Sequence, residues 1–186
     1  MQNFLKFPTF FSLNMPTCTK CKCSLCNQNT DQFQIEKIDD KLVCHSCLYN
    51  ENKPYKIYPI GFVENDTDPG QNFELNMKFT NSKSSVSKIN LYESQKPFLF
   101  KLEDEKWITI VFYFHIQRPI SSTFARGLDG KKVGVFASRT PFRLSRIGIS
   151  EVELIKVEGT TLFVKNFDAF NGSPVLDIKI GSKSLK

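Results

Sequence analysis

Hydrophobic positions along most of this chain fall into short runs bounded by polar or Gly/Pro-containing stretches, and few runs hold the spacing of an amphipathic helix. KIYPIGFVE (56–64) is short and apolar. FELNMKFT (73–80) puts Phe73, Leu75, Met77 and Phe79 on one side, as a half-buried strand does. SKINLYE (87–93) reads as a weaker strand, and SQKPFLFKLE has room for one helical turn. WITIVFYF (107–114) is apolar on both faces and predicts a central strand covered on both sides. VGVFA (133–137) predicts another strand. EVELIKV and TTLFVKNF predict a hairpin turning at Glu158-Gly159, and PVLDIKI (174–180) closes the series. About eight short strands with little helix point to a barrel or a sandwich.

The N-terminal part has a different texture. All six cysteines lie between Cys18 and Cys47. A polar stretch, YNENKPY (49–55), then marks a boundary, so a tail (1–17), a cysteine module (18–50) and a β domain (55–182) are expected. Cys23-x2-Cys26 and Cys44-x2-Cys47 stand seventeen residues apart, the spacing of a zinc ribbon. Phe33, Ile35 and Ile38, with Asp39-Asp40 as a turn, predict a short hairpin carrying one pair to the other. Asn27 suits the left-handed position of a knuckle. Cys23, Cys26, Cys44 and Cys47 are therefore expected to hold a structural zinc, with Cys18 and Cys21 outside the set. His45 reads as a solvent-facing filler.

The net charge of +6 permits a nucleic-acid partner without requiring one. No apolar run reaches the roughly 18 residues of a membrane span, and the opening MQNFLKFPTFFSLNM lacks the cationic start and cleavage site of a signal peptide. A cytoplasmic protein with reduced thiols is expected. GxGxxG and GxxxxGK[ST] phosphate loops are absent, as is HExxH, and beyond the cysteine module the only histidine is His115. These absences leave the doubly wound nucleotide folds and metal or Cys–His hydrolysis unsupported.

Polar residues gather after strands in three places. They are His115-Ile116-Gln117-Arg118, the three-arginine stretch GVFASRTPFRLSRIGIS (134–150), and NFDAFNGSPVLDIK with Asp168, Asn171 and Asp177. Barrel strands of similar length would bring such ends to one rim.

YPIGFVE, WITIVFYFHI, GVFASRTPFRLSRIGIS and VKNFDAFNGSPVLDIK, in this order, resemble the TsaA-like (TrmO-type) family from about residue 55 to 180. The resemblance implies a mainly β chain: a single closed or nearly closed β-barrel, here with a small N-terminal four-cysteine zinc ribbon. It also implies a homodimer that binds S-adenosylmethionine without a Rossmann sheet. The implied reaction methylates N6 of a threonylcarbamoylated adenosine beside the tRNA anticodon. Cofactor-binding positions carried over are His115, Arg139, Arg143, Ser145, Ile147, Gly148, Asp168, Gly172, Ser173 and Pro174. Asp168 and Asp177 are the implied proton acceptors.

The family's loop usually reads Arg-Pro-Asn-Pro-Ile-Gly, where this chain has Arg143-Leu144-Ser145-Arg146-Ile147-Gly148. Asn171 stands where the family has aspartate. These departures keep open a second reading, a divergent S-adenosylmethionine-binding protein with another methyl acceptor or no catalysis. Arg126, Lys131, Lys132 and Arg146 are the candidates for contact with tRNA phosphates.

Overall fold

The computed structural model describes residues 19–67, 86–116, 119–127 and 129–185. The expected tail (1–17), Cys18, the strand expected at 73–80, most of the Ser-rich stretch NSKSSVS (81–87) and Arg118 lie outside them. In chain order the strands are β1 (Lys20–Lys22), β2 (Asn29–Asp31), β3 (Ile35–Ile38), β4 (Lys41–Cys44), β5 (Gly61–Glu64) and β6 (Val86–Leu91). They continue with β7 (Trp107–Tyr113), β8 (Thr123–Ala125), β9 (Lys132–Gly134), β10 (Ile147–Glu158), β11 (Thr161–Lys165) and β12 (Pro174–Ile180). One short helix, α1, spans His45–Tyr49. No described helix is long and apolar enough to cross a membrane. Chain contacts divide the protein into two compact units, residues 1–54 with 117–135 and residues 55–116 with 136–186.

The second unit is a closed barrel in the order β10-β11-β6-β5-β12-β7. Its strand pairs are antiparallel, so each strand's ladder is completed by its neighbours and no edge is left open. Inward positions alternate with outward ones. Ile108, Ile110 and Phe112 of β7 point into a core shared with Val63, Ile89, Val152, Leu162, Val164 and Val175. Fully burying such a side chain contributes about 1.5–3 kcal/mol. The sequence predicts β7 covered on both faces; its central place between β10 and β12 is found, but its outward face is only half-buried. A small barrel has one interior, so Val111 and Tyr113 must face outwards. Register shifts at Leu154/Lys156 of β10 and Val175/Asp177 of β12 bend those strands.

The β10–β11 hairpin turns at the expected place, where Gly159 adopts φ +61. SQKPFLFKLE forms two 3-10 segments, Glu93–Leu99 and Leu102–Asp104, because Pro97 removes an amide donor from any longer helix. VGVFA is a strand only in part: β9 ends at Gly134, and Val135–Ala137 turn into a 3-10 segment.

Strand directions decide where the loops go. The C-terminal ends of β5, β7 and β11 share one end of the barrel with the N-terminal ends of β6, β10 and β12. That rim carries residues 65–67, 114–116, 138–147 and 166–173. The chain enters β10 through a tight contact: an added Cβ on Gly148 would meet the Phe112 ring at 2.5–2.8 Å. Phe112 is buried and touches Phe114 and Phe167 edge-on at 5.3 Å each. One ring thereby ties β7, the start of β10 and the segment after β11. Just before Gly148, Arg146 adopts φ +51 and its carbonyl accepts from the Phe114 amide at 2.8 Å.

The first unit is built on two small hairpins. β1 pairs with β2 and β3 with β4, the latter turning through Asp39 and Asp40, both at positive φ. Asn27 takes the left-handed position expected of it, at φ +62. A third hairpin, β8–β9, comes from the connection after β7. It joins the module through a parallel bridge between Ile38 and Ile120. The Asp39 carboxylate accepts the Ser122 amide at 3.0 and 3.2 Å, and hydrogen bonding from Ser122 holds its pKa below the ordinary carboxylate value.

Two substitutions test the entry into β10. Gly148→Ala must displace the Phe112 ring and should cost about 1–3 kcal/mol, read as a lower melting temperature. Arg146→Pro imposes φ near −65° on a residue at +51° and should also lower it, although the resembling family carries proline there. A melting temperature equal to that of the unsubstituted protein in both variants would contradict this geometry.

Candidate functional site

Described parts of all three polar stretches singled out in the sequence, His115, 138–147 and 166–173, reach the same barrel rim, because the antiparallel ladder alternates strand directions around it. His115 follows the end of β7. Its Nδ1 lies 3.3 Å from the Oγ of Ser173, a residue that is 2% exposed. Gly172 sits beside the other ring nitrogen: at φ +77, a Cβ there would come 3.8 Å from Nε2. One edge of the imidazole thus meets solvent while packing withdraws water from the rest, and this desolvation pulls its pKa below the ordinary 6.5. A neutral ring with one nitrogen engaged by Ser173 presents a single donor or acceptor outwards.

The three arginines divide by role. Arg143 turns its guanidinium back onto its own loop, Nε donating to the Thr140 carbonyl at 2.8 Å and Nη2 to the Ser138 carbonyl at 2.6 Å. It braces a segment that lacks regular pairing of its own. Arg139 is exposed and has no hydrogen bond or ion pair among the described residues, so its fork is open to an anion. Arg146 takes the strained backbone position described above. Ser145 is exposed, Ile147 pairs with Tyr113, and Gly148 is filled from behind by Phe112.

The two aspartates are not brought together. Asp168 lies on the rim, where its Oδ1 accepts from the Ser150 hydroxyl at 2.5 Å. Asp177 stands in register with Val111 on the barrel's outward face, 2.6 Å from Lys179. Pro174 begins β12 opposite Phe62.

Asn65, just past β5, was not singled out in the sequence. Its Nδ2 donates to the Ser87 hydroxyl at 3.1 Å and to the Ala169 carbonyl at 3.0 Å. Its Oδ1 accepts from the Thr67 amide at 3.0 Å, and its own amide donates to Asn171 Oδ1 at 3.2 Å. The Asn-Asp pair after a strand signalled a turn; nothing in the sequence indicated a partner more than a hundred residues away.

In the first unit, the thiol sulfurs of Cys23, Cys26, Cys44 and Cys47 all lie within 4.8 Å of one another. The Cys23–Cys47 and Cys26–Cys44 separations are 3.9 and 3.8 Å. A tetrahedral zinc with bonds of about 2.3 Å requires sulfurs about 3.8 Å apart, so this donor set fits one. Amides of Leu25 and Cys44 point at Cys23 Sγ at 3.4 Å each. Backbone donors, Cys26 first and then Cys44, lower the Cys23 thiol to about 6, whereas the neighbouring thiols, Cys44 first, push Cys47 up to about 12. Four sulfurs this close do not all ionise without a cation among them. Cys21 is disulfide-bonded and, as expected, stands outside this set.

Of the residues expected to meet RNA, Arg126 is held by Asp129 at 3.0 and 2.5 Å, and Lys131 approaches the same carboxylate at 4.0 Å. Lys132 is exposed. At the barrel end opposite the rim lies a cavity of about 550 Å³, lined by Lys96, Leu99, Phe100, Val157 and Gly159. It holds none of the rim residues.

Residues 71–183, more than half of the chain, match the family described as tRNA-methyltransferase O N-terminal domain. Over 93 residues the chain is 34% identical to the tRNA (adenine(37)-N6)-methyltransferase of Mus musculus, covering 48% of this chain and 22% of that protein. It is 28% identical over 137 residues to a probable S-adenosyl-L-methionine-binding protein of Methanocaldococcus jannaschii, covering 70% of this chain and 95% of that one. The crystal structure of TrmO from Pseudomonas aeruginosa aligns with a TM-score of 0.56 at 25% identity, covering 72% of this chain and 59% of that one. The chain therefore spans about a fifth of the length of the mouse relative. A six-stranded closed barrel, a rim that gathers the arginine loop with His115 and the 166–173 segment, and the family match agree: this chain belongs to the tRNA-methyltransferase O family.

Proposed function

We propose that the chain is an S-adenosylmethionine-dependent methyltransferase that acts on N6 of an adenosine beside the tRNA anticodon, in its threonylcarbamoylated form. The observation that carries this reading is the meeting of His115, Arg139, Asp168, Gly172 and Ser173 at one barrel rim. The relatives support it through their names, as a tRNA (adenine(37)-N6)-methyltransferase and an S-adenosyl-L-methionine-binding protein.

The rim's donor set fits the cofactor. An unpaired guanidinium at Arg139 suits a carboxylate, a positive-φ glycine at Gly172 leaves space against His115, and an uncharged imidazole does not repel a sulfonium. When bound, S-adenosylmethionine supplies an activated methyl and its own leaving group, so the protein's task is alignment. Arg139 binds an anionic end; Ser173 fixes the ring plane of His115; Arg143 keeps the loop in shape from within. Asp168 takes the proton lost from the adenine N6 as its lone pair is committed, because it alone of the two aspartates stands on the rim. We place Asp177 outside the chemistry, as a surface ion pair.

The four-cysteine cluster holds one structural zinc with no open position. Lys132, together with Lys41, Lys20 and Lys22 of the ribbon, meets tRNA phosphates, whereas Arg126 mainly orders its own hairpin. The barrel works as a cytoplasmic homodimer, and exposed Ile149 on the outward side of β10 is among the residues a second copy would cover. The second reading, a binding protein without catalysis, draws on the loop: Leu144-Ser145-Arg146 follow a backbone path closed to proline at Arg146.

Several measurements check these readings. Calorimetric titration should detect cofactor binding that Arg139→Ala weakens at least about tenfold, the worth of a charge-assisted hydrogen bond, without lowering the melting temperature. Incubation with cofactor and bulk tRNA, followed by mass spectrometry of nucleosides, should show methylation of threonylcarbamoyl-adenosine. Binding without any methylated nucleoside would select the second reading. The His115 pKa lies below 6.5, so the ring is neutral at pH 7 and charges only as pH falls through that depressed value. Cofactor affinity should fall on that acid side and the fall should flatten in His115→Gln; identical profiles would remove His115 from the site. Elemental analysis should find about one zinc per chain, lost together with a change in the far-ultraviolet spectrum in Cys44→Ser.

A further inference from the structure

Among the described residues, the segment from the end of β11 to Asn171, which carries Asp168, has no strand partner. Something must hold it, because a loop of this kind would otherwise sample many conformations and leave Asp168 and Ser173 unplaced. The core contributes at two points, the buried Ala169 and the Phe167 ring. Val63 of β5 grips the end of the segment, its carbonyl accepting from the Gly172 amide at 2.8 Å and its amide donating to the Ser173 carbonyl at 3.0 Å, while residues 168–171 depend on other bonds. Asn65 spans three pieces of chain: Nδ2 reaches Ser87 Oγ at 3.1 Å and Ala169 O at 3.0 Å, Oδ1 caps the Thr67 amide, and its backbone amide meets Asn171 Oδ1. Thr67 O in turn accepts from the Asn171 amide at 3.0 Å, and Val63 O from the Gly172 amide at 2.8 Å. The next residue is Ser173, bonded to His115.

We propose that Asn65 is the positioning residue of the rim: through the 168–172 segment it sets the Ser173–His115 pair and Asp168. Only an amide does this. A turn after β5 needs an acceptor at residue 65, which aspartate would supply equally well. The bond to the Ala169 carbonyl needs an N–H donor, which aspartate lacks, whereas the Ser87 hydroxyl can donate to a carboxylate as well as accept from an amide. Asn65→Asp therefore separates a turn residue from a clamp, since it keeps the cap on Thr67 and sets a carboxylate against the Ala169 carbonyl. The bearing on methyl transfer rests on the function proposed above, but the clamp itself is measurable without cofactor.

The test uses the full chain, free of cofactor, and follows amide hydrogen exchange and the His115 ring signals by NMR. In Asn65→Asp the amides of Asn171 and Gly172 should exchange about tenfold faster, as expected when one or two hydrogen bonds are lost locally. Amides of β7 and β11 should keep their rates, and the His115 ring signals should shift. Ser87→Ala, which removes one acceptor, should give a smaller change at the same amides and serves where Asn65→Asp does not fold. Unchanged exchange at Asn171 and Gly172, or an equal rise throughout the barrel, would overturn the clamp. In proteins that bind S-adenosylmethionine, affinity should drop roughly in step with the local exchange; affinity equal to the unsubstituted chain's would overturn the link to the site. Failure of the unsubstituted chain to bind cofactor would instead count against the proposed function and leave the clamp to be judged by exchange alone.

Discussion

Closure of the six-stranded hydrogen-bond ladder is the constraint from which the candidate site follows. Every strand of the barrel must find a partner on both sides, and antiparallel pairing makes each neighbour run the opposite way. Alternate strands then deliver their beginnings and ends to the same rim. His115 after β7, Ile147 at the start of β10, Asp168 after β11 and Ser173 before β12 are scattered over nearly sixty residues of sequence. The ladder alone gathers them. Inward alternation fills the interior with Ile108, Ile110, Phe112, Val152, Leu162 and Val164.

What the ladder cannot do is hold the segments between strands, and the chain uses three devices there. Phe112 lies against Gly148 and two further rings, which sets the entry to β10. Arg143 bonds two carbonyls of its own loop, so the most strongly charged stretch of the sequence commits one of its guanidinium groups to shape. Asn65 ties three segments with one amide. These interactions are individually small, about 1 kcal/mol each for a hydrogen bond net of water. Their effect is to remove alternative conformations from the residues gathered at the rim.

The cysteine module shows a parallel logic on a smaller scale. Its hairpins are too short to bury a sufficient core, with Cys23, Val43 and Cys44 forming its buried cluster among the described residues. Four sulfurs at tetrahedral separation supply what packing does not. The β8–β9 hairpin is joined to this module by the Ile38–Ile120 bridge and the Asp39 carboxylate, so a stretch that the sequence order assigns to the barrel groups with the ribbon.

Much of this was legible beforehand for stated reasons. Short apolar runs bounded by polar or Gly-containing stretches marked the strands at 107–114, 151–165 and 174–180, and the C-x2-C spacing marked the four sulfurs, because both are local patterns with a direct geometric meaning. The left-handed Asn27 and the turns at Asp39-Asp40 and Glu158-Gly159 were equally local. The strand read into 133–137 broke off at Gly134, since two or three apolar residues do not by themselves separate a strand from a 3-10 turn. The resemblance gave Arg139 and Arg143 one role, at the cofactor, and Asp168 and Asp177 another, at the proton. The fold separated them: Arg143 faces its own loop while Arg139 stays open, and Asp177 faces outwards while Asp168 reaches the rim. By itself the sequence determined most of the described barrel strands, the two C-x2-C turns and the family, all of which are written in near-neighbour spacing. The tertiary structure alone decided which charged groups share the rim, and that Asn65 supports them, because those relations depend on partners brought together by barrel closure.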